Sequence, residues 1–530
     1  MLKKQNFIKG SIILMVSAAA AKLLGAVFRI PLTNILGGIG MSYFSCAYSL
    51  FMPVYALTVT GLSSAVARMT AGSAALGMYA NCRRIRRTAL IMFSAVGLAG
   101  SLLVFLLAEP FSRYTLGSSD ASAAVAMIAP AVFFGCITAV ERGYYEGMSN
   151  MYPTALSQLA EGAVKAAAGL ALCSFVTEHP RKVMELFPFV TDIRAAAAAA
   201  GILGVTLSTA GAALFFGAVR LSARIPDSGE DFLMSGRSIA RELVSTALPV
   251  GLSALVTNLA SLTDMWTVMV CISRYGGAIA PAGVSAAELP RFIYGSYAGI
   301  ALTVFNLVPS VTNMLGKGAL TCMTAACRQG DRCTLEEGSV QALLTAAVIS
   351  VPAAVGTAVL APEILGVLFP RQSDEVAVCI SALQLLMAGM VCLCLSYPLF
   401  GMLQAVGKTS APLRIMLAGT AAKAAGNLLL IPVMGVDGAA LSTTLCYIFM
   451  LVLALRRYTA ASGVHITAAP FLRVAYCGAM CGGTALLVRS AAYSYGVSPA
   501  VVLAVSAAAG GGAYMLLLRT VLGRRKSRSI

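Results

Sequence analysis

Apolar runs of about 20 residues recur along this chain from end to end, and each is long enough to cross roughly 30 Å of hydrocarbon as a helix. In lipid the backbone has to satisfy its own hydrogen bonds, which leaves helices and closed barrels as spanning structures. The runs are continuously apolar rather than alternating residue by residue, so helices are expected. Charged residues make up 11% of the chain, against about a quarter in an ordinary soluble domain. Too few are present to clothe a water-facing surface, and the 530 residues read as one membrane domain rather than several soluble ones.

Hydropathy, turn residues and charge clusters place spans near residues 10–29, 41–67, 88–108, 121–141, 153–176 and 195–219. After a polar stretch, further spans lie near 243–272, 289–313, 339–361, 376–400, 411–431, 437–455, 471–489 and 498–519. The expected fold is an all-α polytopic membrane protein of about 14 transmembrane helices, with two six-helix lobes and a C-terminal helix pair. The segments are an N-lobe over 1–220, a cytoplasmic linker over 221–240, a C-lobe over 241–457, and the last two spans with a basic cytoplasmic tail over 458–530. An even number of spans puts both termini on one side of the plasma membrane. Placing them in the cytoplasm puts most of the 38 Lys and Arg inside, as the positive-inside rule requires.

The net charge of +17 comes from clusters between spans, such as Arg83, Arg84, Arg86 and Arg87, and the tail Arg524, Arg525, Lys526 and Arg528. A nucleic-acid binder gathers its cations on a folded face with aromatics interleaved, so no nucleic-acid partner is expected. The 14 Cys, among them Cys173, Cys271, Cys392 and Cys446, are scattered through apolar segments without paired or CxxC spacing. They read as small buried apolar residues. The first apolar run follows Lys3, Lys4 and Lys9 as in a signal peptide, but it is long and contains Lys22, so it is taken as a retained span. His179 and His465 both lie near loops, and HExxH, GxSxG and GxxxxGKS motifs are absent. Neither an enzyme nor a resident cofactor is expected.

Two echoes suggest an internal repeat. Val164-Lys165-Ala-Ala-Ala-Gly169-Leu170 in the fifth span resembles Ala422-Lys423-Ala-Ala-Gly426-Asn427-Leu428 in the eleventh, and Gly204-Val-Thr-Leu-Ser-Thr209 resembles Gly438-Ala-Ala-Leu-Ser-Thr443. Equivalent spans six helices apart keep the same orientation, which implies parallel repeats with a cavity between them.

Five cations, Lys22, Arg29, Lys165, Arg291 and Lys423, fall within or at the ends of spans, where a charge at the bilayer centre costs about 2.5–3.5 kcal/mol. Lys22 and Arg29 share one face of the first helix, with Gly25 between them admitting a close neighbour. Arg29, near Pro31, either faces the cavity or snorkels to the outer interface. Glu161 precedes Lys165 by one turn, the order in which an i,i+4 pair stabilises a helix by itself. In the seventh span Thr257, Ser261 and Asp264 form a polar stripe, with Asn258 beside it. Asp264 could coordinate a coupling cation, take up a proton or neutralise a basic neighbour. Glu288 and Arg291 open the eighth span, either at the mouth of the cavity or at the interface. Basic groups outnumber Glu161, Asp264 and Glu288, so such a cavity would be electropositive and suited to an anion such as pyrophosphate.

The block Lys22-Leu-Leu-Gly25-Ala-Val-Phe-Arg29-Ile-Pro31-Leu-Thr-Asn-Ile-Leu-Gly37 resembles the opening of the stage V sporulation protein B and polysaccharide-biosynthesis family. Gly401-Met-Leu-Gln404-Ala-Val-Gly407-Lys408, with Pro412, Lys423, Asn427, Ile431-Pro432 and Gly438 to Thr443, is similar to that family's tenth-to-twelfth span region. The family belongs to the multidrug/oligosaccharidyl-lipid/polysaccharide exporter (MOP) superfamily, which includes the MurJ-like lipid II flippases. The resemblance implies a central cavity lined by spans one, two, seven and eight, a final helix pair forming a lipid-tail groove, and an undecaprenyl-pyrophosphate-linked saccharide as substrate. It implies pyrophosphate-binding roles for Lys22 and Arg29, with Arg68 and Arg291 as further substrate-binding candidates. Some relatives bind sodium between spans seven, eleven and twelve, which maps onto Asp264, Asn427 and Thr443 as residues for a coupling Na+ or proton. Ile431 stands one turn beyond Asn427, where a carboxylate would strengthen that site.

The leading expectation is a flippase working by alternating access on a lipid-linked cell-wall precursor, in spore cortex synthesis among other settings, with membrane lipids and cell-wall enzymes as partners. One alternative is a cation-coupled multidrug exporter, whose cationic substrates call for more buried acid than base. Another is a transport-inactive membrane scaffold for cell-wall enzymes, a role that loss of the buried charges would leave intact.

Overall fold

A computed structural model of the chain describes residues 7–186, 192–222, 234–274, 284–313, 332–464 and 466–523, together with Gly316 and Met323. Every regular element among them is helical. The side chains of Lys22, Thr257 and Ser261, and the basic tail from Arg524, lie outside the described residues. The chain divides into two compact units, residues 1–269 and 270–530.

The first unit holds α1 (Phe7–Tyr55), α2 (Gly61–Ala75), α3 (Tyr79–Leu106), α4 (Ala108–Leu116), α5 (Ser122–Ile128), α6 (Pro130–Gly147), α7 (Tyr152–Glu178), α8 (Pro180–Leu186), α9 (Ile193–Ser222) and most of α10 (Gly236–Ile272). The second holds α11 (Leu289–Ser296), α12 (Leu302–Phe305), α13 (Leu307–Asn313), α14 (Arg332–Val359), α15 (Ala361–Leu368), α16 (Ser373–Ala405), α17 (Ala411–Met434), α18 (Val436–Ser462), α19 (Ala469–Ser494) and α20 (Pro499–Gly523). Proline in the first turn opens α6, α7, α11, α15, α17 and α19, where its missing N–H would have had no helical partner. Left-handed glycines, Gly117 and Gly463, close α4 and α18.

Eleven helices among the described residues are long and apolar enough to cross a membrane, or twelve when α11–α13, bent by 47°, counts as one span. All fourteen expected spans fall on helix, but three do so in unexpected form. Spans one and two run on as one helical segment, Ala19–Ala75, and the seventh contributes Leu262–Ile272 as a shorter apolar helix. Large apolar side chains such as Leu214, Leu429 and Leu487 stand exposed on the helix surfaces, an arrangement suited to lipid and not to water. The molecule is a multi-pass membrane protein.

Within α1 the helical dihedrals break at one residue, Gly37, with φ 64° and ψ −176°. A side chain is strained in that region of backbone space, so the join between the first two spans depends on glycine. Gly37→Ala is expected to cost about 1–3 kcal/mol, read as a lowered midpoint in thermal unfolding of the detergent-purified protein.

The repeat has a structural counterpart. The two helices that carry the echoes pack on each other in both units, α7 on α9 and α17 on α18. Gly204 brings α9 against the backbone of Gly169 on α7, and Gly426 on α17 lies against Ser442 on α18. A second correspondence was not visible in the sequence. The second and eighth spans, six apart, each contain one π-helical turn, at Ala56–Thr60 and Tyr297–Ala301. In the first unit Gly61, next to its π turn, faces the carbonyl of Ala247 on α10, while Gly251 faces the carbonyl of Leu57. The two segments therefore cross with their backbones in contact.

Candidate functional site

The second half of α1 presents Phe44, Tyr48, Phe51 and Tyr55 at helical spacing, with successive ring centroids 5.0, 6.0 and 4.9 Å apart. Phe28, on the far side of the Gly37 break, joins this ladder at 6.3 Å from Phe44. Lys165, midway along α7, sets its ammonium 5.3 Å from the Phe28 ring centroid and 5.4 Å from that of Tyr48. Each ring face offers a cation roughly 0.5–2 kcal/mol, which helps to offset holding the charge inside a span.

Lys165 has no ion pair among the described residues, contrary to the expectation that Glu161 neutralises it along the helix. Glu161 instead accepts a hydrogen bond from Arg142 Nη2 of α6 at 2.6 Å, and Arg142 Nε donates to Ser157 Oγ at 3.0 Å. Ser157 in turn donates to the Thr154 carbonyl at 2.8 Å. The guanidinium fork offers Glu161 and Ser157 two fixed donors at once, which a flexible lysine on the same helix does not match. The charges of Arg142 and Glu161 cancel, leaving the Lys165 cation as the net charge of this set. The Tyr48 hydroxyl, beside it, is buried without a hydrogen-bond partner among the described residues. An ammonium and a phenol, both donors, are thus left with capacity for an acceptor.

The residues singled out from sequence are dispersed. Arg29 is half-buried on α1, and its carbonyl accepts from Thr33 at 2.9 Å. Gly25 has open space around it rather than a close neighbour; Gly162 on α7 makes the tight approach instead, against Leu24. Arg68 is exposed on α2. Asp264 is half-buried on α10 in the first unit, and Asn258 donates to the Ala254 carbonyl at 2.8 Å. Arg291 is half-buried in the first turn of α11, just after Glu288, which accepts from the Ser285 hydroxyl at 2.9 Å. Asn427 and Thr443, 1% and 2% exposed, lie in the second unit on α17 and α18, with Thr443 donating to the Ala439 carbonyl at 2.8 Å. No group of three or more His, Cys, Asp or Glu suited to a metal ion occurs among the described residues.

Arg86, placed with its cluster between spans, is instead buried within α3. Its Nε and Nη2 donate to Glu141 Oε1 at 3.0 and 2.7 Å, its side chain is 8% exposed, and its guanidinium carbon lies 4.9 Å from the Tyr144 ring centroid. The signal was its position on the buried stripe Cys82, Ile85, Arg86, Ala89 and Phe93 of α3. In the second unit Glu363 accepts from Arg489 Nε at 2.7 Å and from the Tyr493 hydroxyl at 2.8 Å, a buried acid that sequence reasoning also passed over.

The model of the family described as polysaccharide biosynthesis protein matches residues 7–320, and that of lipid II flippase MurJ matches residues 291–506. The chain is 25% identical over 526 residues to stage V sporulation protein B of Bacillus subtilis (strain 168), covering 98% of this chain and 96% of that protein. It is 22% identical over 550 residues to lipid II flippase MurJ of the same strain, covering 98% and 97%. Among solved structures, lipid II flippase MurJ in an inward closed conformation aligns with a TM-score of 0.69 at 14% identity, over 98% of this chain and 100% of that one. An inward-facing multidrug resistance MATE family transporter of the MOP superfamily aligns with a TM-score of 0.61 at 15% identity, over 83% and 93%. With a family match across more than half its length, the chain belongs to the polysaccharide biosynthesis protein family.

Proposed function

We propose that this protein is a flippase that carries a lipid-linked cell-wall precursor, an undecaprenyl-pyrophosphate saccharide resembling lipid II, from the inner to the outer leaflet by alternating access. The observation that carries the reading is the Lys165 cation, held on two aromatic faces inside a span without a carboxylate partner. A half-buried cation inside a span that no carboxylate neutralises among the described residues favours an anionic passenger, and a pyrophosphate brings acceptor oxygens for both Lys165 and Tyr48. Relatives named as a lipid II flippase and as a stage V sporulation protein support the substrate class and a place in spore cortex synthesis. In this proposal Lys22, Arg29, Arg68 and Arg291 add positive charge along the headgroup's path, and both termini face the cytoplasm. A Na+ or H+ gradient resets the transporter through Asp264, with Asn427 and Thr443 as the polar groups of the second unit.

The test is reconstitution of the protein into vesicles with a fluorescent lipid-linked precursor. Losing one charge-assisted contact of roughly 1.5–3 kcal/mol should slow translocation by about 10- to 100-fold in Lys165→Ala, and comparably in Lys22→Ala, while Lys165→Arg retains most of the rate. Wild-type rates in both alanine variants would overturn the proposal. Imposing Na+ and pH gradients separately on the same vesicles identifies the coupling ion, and Asp264→Asn should remove the response to it.

A further inference from the structure

The second unit contains a cavity of about 480 Å³ between the end of α16, the start of α17 and the end of α18. Its rim carries Lys408, Arg414 and Arg457, and no acidic residue lines it. All three cations are exposed at their tips, and none takes part in an ion pair among the described residues. Leu403 and Ile415 lie buried beneath them, with Leu453 half-buried. The helix positions fix where this cavity lies. α17 and α18 are successive spans joined by a tight turn at Gly435, so the first turn of the one and the last turns of the other meet at the same end of the hairpin. From that end an apolar strip continues along the exposed faces of the two helices through Leu417, Phe449 and Val452.

The geometry points to a binding site for an anionic phospholipid. Its phosphate would sit among Lys408, Arg414 and Arg457, its glycerol region over Leu403, Ile415 and Leu453, and an acyl chain along the strip from Leu417 to Phe449. A free phosphate would use the cations and leave the apolar floor and strip unused; a zwitterionic lipid would use the strip and gain little from three unneutralised charges. The combination at a span end is that expected of a basic headgroup pocket between transmembrane helices.

Native mass spectrometry of the purified, delipidated full-length protein tests this without any lipid-linked precursor, so its outcome is independent of the proposed transport activity. The probes are dioctanoyl phosphatidylglycerol, dioctanoyl phosphatidylcholine and inorganic phosphate. At about fivefold per cation, the wild type should retain phosphatidylglycerol about a hundredfold better than phosphatidylcholine. The combined Lys408→Gln, Arg414→Gln, Arg457→Gln variant should lose that preference. Leu453→Trp, which keeps every charge and fills the floor, should weaken phosphatidylglycerol retention and guards against a folding defect in the triple variant. Undiminished preference in the triple variant together with undiminished phosphatidylglycerol retention in Leu453→Trp overturns the site, and displacement of phosphatidylglycerol by equimolar inorganic phosphate overturns its assignment to a lipid.

Discussion

Replacing Arg86 with alanine is expected to destabilise the purified protein by about 3–5 kcal/mol, the usual cost of stripping one partner from a buried ion pair. The Glu141 side chain is 6% exposed, so the abandoned carboxylate has to be protonated or draw water into the α3–α6 contact. Tyr144 gives it no substitute, because the ring stacks on the guanidinium and not on the acid. Glu141→Ala should cost a similar amount for the reciprocal reason. The double variant Arg86→Met, Glu141→Leu should be far less affected than either single one, since apolar replacement removes the desolvation penalty together with the attraction. Unfolding in detergent followed by circular dichroism, arranged as a double-mutant cycle, gives the coupling directly. An Arg86→Ala midpoint equal to wild type would show that the guanidinium reaches water.

The second large effect is expected at the helix pair that ends the chain. Glu363 lies in the first turn of α15 with its side chain 0% exposed, and Oε2 has no hydrogen-bond partner among the described residues. Its side-chain hydrogen bonds come from α19: Arg489 Nε and the Tyr493 hydroxyl donate to Oε1, while Arg489 Nη1 also donates to the Val359 carbonyl at 3.0 Å. Arg489→Ala should cost about 3 kcal/mol, at the lower end because Arg489 is partly exposed. The loss should be local. Hydrogen exchange should accelerate in residues 486–505 while the contact of Gly478 and Gly482 with Val351 and Val355 holds the rest of α19 on α14. Tyr493→Phe removes one hydrogen bond to the same acid and should cost about 1.5–3 kcal/mol. Uniform exchange along α19 in Arg489→Ala would show that the clamp contributes nothing of its own.

The spans were legible because lipid punishes unsatisfied backbone so heavily that hydropathy records it, and the Lys and Ala-rich echoes were legible as a repeat, although not that their helices pack on each other. The charges were legible as buried but not as partnered. Spacing along one helix suggested Glu161 with Lys165, yet the i,i+4 rule describes an isolated helix, and Arg142 on a neighbour holds the acid with better geometry. Four arginines within five residues read as a cluster between spans, although helical phase sets Arg86 apart from Arg83, Arg84 and Arg87. The stripe Thr154, Ser157, Gln158, Glu161 and Lys165 follows the same periodicity and marks the face that α7 turns toward α1 and α6. Phe28 and Tyr48 could not have been assigned to Lys165, because a single backbone angle at Gly37 decides how the two halves of α1 meet. The π turns have no compositional signature at all.

Where Gly61 and Gly251 let α10 cross the π turn of the second span, main chain rests on main chain at the crossing point, and Val59, Leu62 and Leu243 join one apolar core around it. Helices meeting through knobs and holes separate in steps, each knob having to leave its hole. At this crossing the point of closest approach is carbonyls and Cα carbons instead, so a side chain introduced on either glycine would meet backbone and wedge the two segments apart.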